Sequence, residues 1–186
     1  MSNKRIKVTT VILILTFLIC IAIMQPQDNE ANIFKCISAS ATITLVLSYI
    51  YIHWLWKLSP FKEFHQDILI IDGKWASTIT LEDDTTILLD VKISQTFDSV
   101  KITIKSNVFI AKSITSAFIK DPDKLILYFI YHTKDLKKKN SNHTPHVGTM
   151  KLHCLDNQLK GFYYTDLKTS DEITFIKVNK EDEIDE

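Results

Sequence analysis

Two apolar stretches, residues 8–24 and 36–56, stand ahead of a long run of alternating apolar and polar residues. The first, VTTVILILTFLICIAIM, carries no charge, and the second, CISASATITLVLSYIYIHWLW, has no Asp, Glu, Lys or Arg and a single histidine, His53, near its end. About 20 apolar residues are needed to cross a bilayer as a helix, because a spanning segment must satisfy its own backbone hydrogen bonds. The octet between them, QPQDNEAN, is polar and too short to be a domain. Residues 1–60 therefore read as a two-helix transmembrane hairpin and 61–180 as a water-exposed domain, with 181–186 (EDEIDE) as an acidic tail.

Flanking charge sets the orientation. Lys4, Arg5 and Lys7 precede the first span, the octet has no basic residue, and Lys57 and Lys62 follow the second; Lys35 is the one dissenting charge. The N-terminus and the domain after residue 60 are expected on the cytoplasmic side of the membrane. A cleaved signal peptide starts in the same way. Here, however, the apolar core is longer than the usual stretch of about 7–15 residues, and no small-x-small site follows it. Of three cysteines, Cys20 and Cys36 lie in the spans and Cys154 in the later region, which suits a reducing compartment. Tyr49, Tyr51, Trp54 and Trp56 form an aromatic collar where the second span ends.

The spans differ in character. The first is rich in Ile and Leu, while the second opens with Ser38, Ala39, Ser40, Ala41, Thr42 and Thr44. Small residues four apart let helix backbones approach closely. This face, with Ser38, Ala41, Thr42 and Thr44, packs either between copies of the chain or against its own first helix; spacing leaves both open.

From Gly73 the period changes to two. Residues 73–81, 87–95, 98–105, 108–119, 124–133, 147–154, 158–165 and 172–178 read as strands, joined by turns such as Glu82-Asp83-Asp84 and Asp121-Pro122-Asp123. No helical period long enough for crossovers follows Pro60, so the sheet is antiparallel. An eight-stranded antiparallel up-and-down β-barrel fits this spacing and removes the sheet edges. A sandwich is the alternative, but the only long connection is 134–146, KDLKKKNSNHTPH. On the parity of Leu159, one wall carries Gly161, Tyr163 and Thr165, and in the last strand Ile173, Phe175 and Lys177; Tyr131 and Thr133 share the parity of Leu127 and Phe129. An interior that turns polar toward strand ends is either a ligand mouth or a core with wet ends.

Enzyme chemistry has little footing here. Three glycines cannot build a Gly-rich phosphate loop, and there is no nucleophile elbow, His-Glu-x-x-His or Cys-x-x-Cys. His132, His143, His146 and His153 show no metal-ligand spacing, so neither a metal nor another cofactor is expected. Lys134, Lys137, Lys138 and Lys139 suit a solvated loop or contact with a polyanion or lipid head groups, and a net charge of zero argues against direct DNA or RNA binding.

The order of parts, with Gly73-Lys74-Trp75 opening the domain and Gly148-Thr149-Met150 and Leu159-Lys160-Gly161-Phe162-Tyr163-Tyr164-Thr165 near its end, carries a resemblance. It resembles the two-transmembrane β-barrel, STING-like effectors of bacterial CBASS anti-phage systems, over residues 4–178. The resemblance implies a barrel that binds a cyclic dinucleotide from a cognate nucleotidyltransferase. Homo-oligomerisation, disruption of inner-membrane lipid and cell death or growth arrest would follow. By parity, Tyr131, Thr133, Tyr163 and Thr165, with Lys134 toward phosphate, are the candidate ligand residues. Gly-x-Trp is also similar to lipocalin-type barrels, where a basic residue of the last strand stacks on the tryptophan of the barrel floor; Lys177 over Trp75 is the corresponding pair. The alternatives are a membrane-tethered lipocalin-like binder of a small apolar ligand, and a membrane scaffold subunit.

Overall fold

The computed structural model describes residues 2–24, 30–58, 69–80, 86–121, 124–136, 144–155 and 157–178. The turn at Glu82-Asp83-Asp84, most of the turn at Asp121-Pro122-Asp123, Lys137 to Lys139, His143 and the acidic tail lie outside the described residues. The chain divides into two units, Met1–Ile68 with Thr96–Asp98, and Leu69–Gln95 with Ser99–Glu186.

In the first unit, helix α1 (Ser2–Met24) and helix α2 (Glu30–His53) are joined by a short connection, and a 3-10 turn at Leu55–Lys57 follows. Both helices are long and apolar enough to cross a membrane. Their large apolar residues, such as Leu15, Leu18, Ile19, Leu45 and Val46, are exposed and not buried in protein, as a lipid-facing surface requires. Cys36 Sγ approaches the Cys20 carbonyl, and Thr16 meets Thr44, so the contacts run in opposite order along an antiparallel pair.

That pairing divides the small-residue face. Ser40, Thr44 and Ser48, four residues apart, are buried, whereas Ser38, Ala41 and Thr42 are exposed. Thr44 therefore packs within the hairpin and is not available to a neighbouring copy. The aromatic collar divides too. Tyr49 and Trp54 are exposed, but Tyr51 and Trp56 are buried, each edge-on to Phe97 of the Thr96–Asp98 segment, at 5.6 and 6.0 Å between ring centroids.

In the second unit eight strands form a closed antiparallel barrel in sequence order: β1 (Gly73–Thr80), β2 (Thr86–Gln95), β3 (Val100–Lys105), β4 (Phe109–Asp121), β5 (Lys124–Asp135), β6 (Val147–Cys154), β7 (Gln158–Thr165) and β8 (Ser170–Lys177). Alternation decides the packing: Ile87, Leu89, Val91 and Ile93 point inward, and Thr86, Leu88, Asp90 and Lys92 outward. The core holds Trp75, Ile102, Ile104, Leu127, Phe129, Met150, Leu152, Leu159, Ile173 and Phe175.

Two joints depart from regularity. β4 bulges between Ser113 and Thr115, and there serine hydroxyls extend its ladder with β3: Ser113 Oγ accepts from the Ile102 N–H (2.9 Å), and Ser116 donates to the Val100 carbonyl (2.6 Å). The closing seam between β1 and β8 is paired only at Trp75–Lys177 and Ala76–Ile176 among the described residues. Beyond Ala76 no further β1–β8 register pair is formed among the described residues, and the barrel remains closed.

Candidate ligand site at the mouth of the barrel

The two ends of the barrel are built differently. One end receives the chain at Leu69 and holds the β2–β3, β4–β5 and β6–β7 connections; the other holds the remaining four. The first end is plugged by the segment before β1. The Ile71 N–H donates to Gln95 Oε1 (2.8 Å), Gln95 Nε2 donates to the Leu69 carbonyl (2.9 Å), and the Gln95 N–H donates to Asp72 (2.7 Å). Trp75 Nε1–H donates to the Ile71 carbonyl (2.9 Å), and its ring is fully buried. Lys177 Nζ lies 5.6 Å from that ring's centroid, within reach of a cation–π contact.

The second end is the mouth. Strand pairing brings Tyr131 opposite Gly148 on β6, Gly148 opposite Thr165 on β7, and Tyr163 opposite Met150 and Asp171. The parity expectation therefore gathers Tyr131, Thr133, Tyr163 and Thr165 at one rim. Lys134 is not among them: in register with Ile110, it lies on the outer face and is exposed.

The four residues are not equivalent. Thr133 is engaged with its own rim, since its hydroxyl accepts from the His146 N–H (2.8 Å) and lies 3.2 Å from the His146 carbonyl. Thr165 shares a 2.6 Å hydrogen bond with Thr169, which closes the β7–β8 turn. The threonine hydroxyls thus serve the turns of the mouth. The tyrosines face the interior. Tyr131 is buried, and its ring lies against Gly148, where a Cβ would sit 2.4 Å from the ring. Burial, then Tyr163 and Asp166, push the Tyr131 phenol well above the usual tyrosine range. Tyr163 is half-buried and shifted the same way by burial and then Asp171. Both remain neutral hydroxyls capable of donating at neutral pH.

Sequence reasoning did not assign four further residues to the ligand site. Gly148 makes room for the Tyr131 ring, and His146 ties down Thr133 and stands edge-on to Tyr131 at 6.2 Å. Asp171 adds a carboxylate to the mouth beside Tyr163. Ser77 is buried on the inner face of β1, between Trp75 and Ile79, and its hydroxyl has no hydrogen-bond partner. Such an orphan costs about 1–3 kcal/mol in a folded core. Inward parity with Trp75 was the signal available for Ser77, and the short residue opposite a tyrosine was the signal for Gly148. Among the described residues, no three His, Cys, Asp or Glu side chains are arranged to hold a metal.

A buried tryptophan floor and a mouth of neutral phenols, carboxylates and one orphan hydroxyl suit a flat, polar-edged ligand that stacks and accepts or donates hydrogen bonds. Comparison with known proteins points the same way. Residues 70–177, the barrel itself, match the family described as Cap15, cyclic dinucleotide receptor domain. The chain is also similar to the CD-NTase-associated protein 15 of Staphylococcus schleiferi, at 27% identity over 178 residues, covering 95% of this chain and 97% of that protein. The chain thus belongs to the Cap15 cyclic dinucleotide receptor family, the CBASS effectors that its sequence resembles.

Proposed function

We propose that the chain is a membrane effector in which a cyclic dinucleotide, made by a cognate nucleotidyltransferase, binds the barrel mouth. Its binding drives association of the transmembrane hairpins, and clustered hairpins disrupt the bacterial inner membrane. The barrel faces the cytoplasm, where the nucleotide is made, in keeping with Lys4, Arg5 and Lys7 before the first span. The reading rests above all on the mouth, where Tyr131 and Tyr163 present aromatic faces and hydroxyls above a sealed floor. A base stacked on an aromatic ring gains about 1–3 kcal/mol, so two tyrosines suffice to orient a two-base ligand. Thr133 and Thr165 shape the rim, and Lys134 on the outer face meets phosphate only outside the barrel. On the hairpin, the exposed Ser38, Ala41 and Thr42 supply the face for a second copy.

One observation favours a second reading, a scaffold that binds another protein: Phe162 and Tyr164 project from the outer wall of β7, both about half exposed. The test is thermal unfolding of the full chain in detergent against a panel of cyclic di- and trinucleotides. A ligand at about 100 times its Kd stabilises the folded state by about 2.7 kcal/mol, so a rise of several degrees in Tm is expected for the cognate compound. No rise with any compound would reject the receptor reading and leave the scaffold standing.

A further inference from the structure

We propose that Ser77 is a ligand-contacting residue, its hydroxyl hydrogen-bonding the edge of a nucleobase that enters beside the β1–β8 seam. This deepens the receptor reading above and rests on it. Two independent observations meet at this residue. The residue is buried at 7% exposure, and its hydroxyl faces the barrel interior and is without a hydrogen-bond partner among the described residues. It also stands at the first position past Ala76, the last paired residue of the closing seam. From there on no β1–β8 register pair is formed among the described residues, so a planar group that displaces the two strands there breaks no ladder.

The surrounding charge selects base over phosphate. The inward-facing strand positions of this end carry Asp171 on β8 beside Tyr163 on β7. None of those described carries lysine or arginine. The inward-pointing lysine of β8, Lys177, is at the opposite end over Trp75. A phosphate entering from this end would pass a carboxylate at the rim with no inward lysine or arginine there among the described residues to offset it. Amino and imino groups of a base edge meet no such repulsion, and the serine oxygen can accept from them.

An orphan hydroxyl is unfavourable in the empty barrel and favourable only with a ligand bound, so its removal has opposite effects on the two states. The experiment is calorimetric titration of the full chain in detergent with cyclic di-GMP, cyclic di-AMP and cyclic GMP-AMP, for wild type, Ser77→Ala and Ser77→Thr, alongside ligand-free Tm. Ser77→Ala is expected to weaken the best-binding compound about tenfold or more while its ligand-free Tm stays level or rises, and Ser77→Thr is expected to retain binding. Binding by Ser77→Ala within about twofold of wild type, or a fall in its ligand-free Tm, overturns the assignment. Failure of the wild type to bind any of the three overturns instead the receptor reading for these compounds, and the Ser77 contact with it.

Discussion

The hydroxyls of Thr16 and Thr44 lie 2.8 Å apart, a buried hydrogen bond between the two helices of the hairpin. Each hydroxyl also lies within reach of a carbonyl of its own helix, Thr16 of Ile12 (2.9 Å) and Thr44 of Ser40 (2.7 Å). With one proton each, one threonine donates across the hairpin while the other donates to its own helix, and the pair forms a polar strip within apolar surroundings. Interhelical hydrogen bonds of this kind in membranes average only about 0.6 kcal/mol and reach about 1.7. The strip holds register more than it supplies stability. It also commits the Ser40–Thr44–Ser48 side of α2 to the protomer, leaving the Ser38–Ala41–Thr42 side for other contacts.

The two sides therefore predict different phenotypes. Thr44→Leu should disturb the hairpin itself, through loss of the Thr16 bond and overpacking worth about 1–3 kcal/mol. Ser38→Leu with Ala41→Leu should leave the hairpin intact and reduce killing in cells that co-express the nucleotide synthase. Measuring both killing and hairpin integrity separates the sides. Full killing by the Ser38/Ala41 variant would remove that face from the output step.

How much of this was readable beforehand depends on what local sequence encodes. Each strand was legible because alternation is a local property, and strands such as 147–154 and 158–165 fall where the pattern puts them. The gathering of Tyr131 and Tyr163 at one rim was legible from parity alone. Side assignment on α2 was not, because Ser38/Thr42 and Ser40/Thr44 have the same spacing and only the partner helix distinguishes them. The β4 bulge, which reverses parity after Ser113, depends on how β3 and β5 pair with it. The short ladder at the seam beside Ser77 is likewise a consequence of closure, the most non-local contact in the domain.

Cys20 and Cys36 offer a direct check on the hairpin. Cys36 Sγ lies 3.9 Å from the Cys20 carbonyl, and both side chains are buried at the helix interface. Disulfide formation needs Cα atoms about 4.4–6.8 Å apart, a spacing that facing helices at close contact approach. A membrane-permeant oxidant should therefore lower the alkylatable thiols of the denatured chain from three to one, Cys154 alone remaining. In Thr44→Leu the yield should fall, whereas Ser38→Leu/Ala41→Leu should match wild type. Three reactive thiols in oxidised wild-type protein would refute the pairing of these helix faces.

The inward glycines make a graded prediction. A Cβ at Gly161 would sit 1.9 Å from the Lys151 carbonyl oxygen, a backbone atom that cannot swing away. A Cβ at Gly148 would meet the Tyr131 ring, a side chain that can. Gly161→Ala should therefore be the more destabilising, at or above the upper end of the roughly 1–3 kcal/mol for overpacking. Gly148→Ala should cost less, and combined with Tyr131→Ala it should be clearly non-additive, because the first change has nothing left to collide with. Chemical denaturation of the four variants measures both effects; additive costs at Gly148 and Tyr131 would place the ring elsewhere.

Cys154 sets a pH dependence with a definite sign. Burial pushes its thiol up to about 11, with a backbone hydrogen bond from Leu127 pulling the other way. The folded chain keeps a proton that the unfolded chain releases near pH 8.5–9. The stability associated with this group is thus complete below about pH 8.5 and is lost as pH rises through about 11. Tyr131 and Tyr163, both also shifted upward, add a loss of the same sign from about pH 10. Between pH 8.5 and 10 the thiol should dominate, so Cys154→Ala should flatten the decline of Tm with pH in that interval and leave the steeper fall above it. The folded thiol should also alkylate far more slowly at pH 8.5 than the denatured one, since the thiolate is the reactive form. An unchanged Tm slope in Cys154→Ala, together with rapid alkylation of the folded chain, would show that this thiol is ionised in the native barrel.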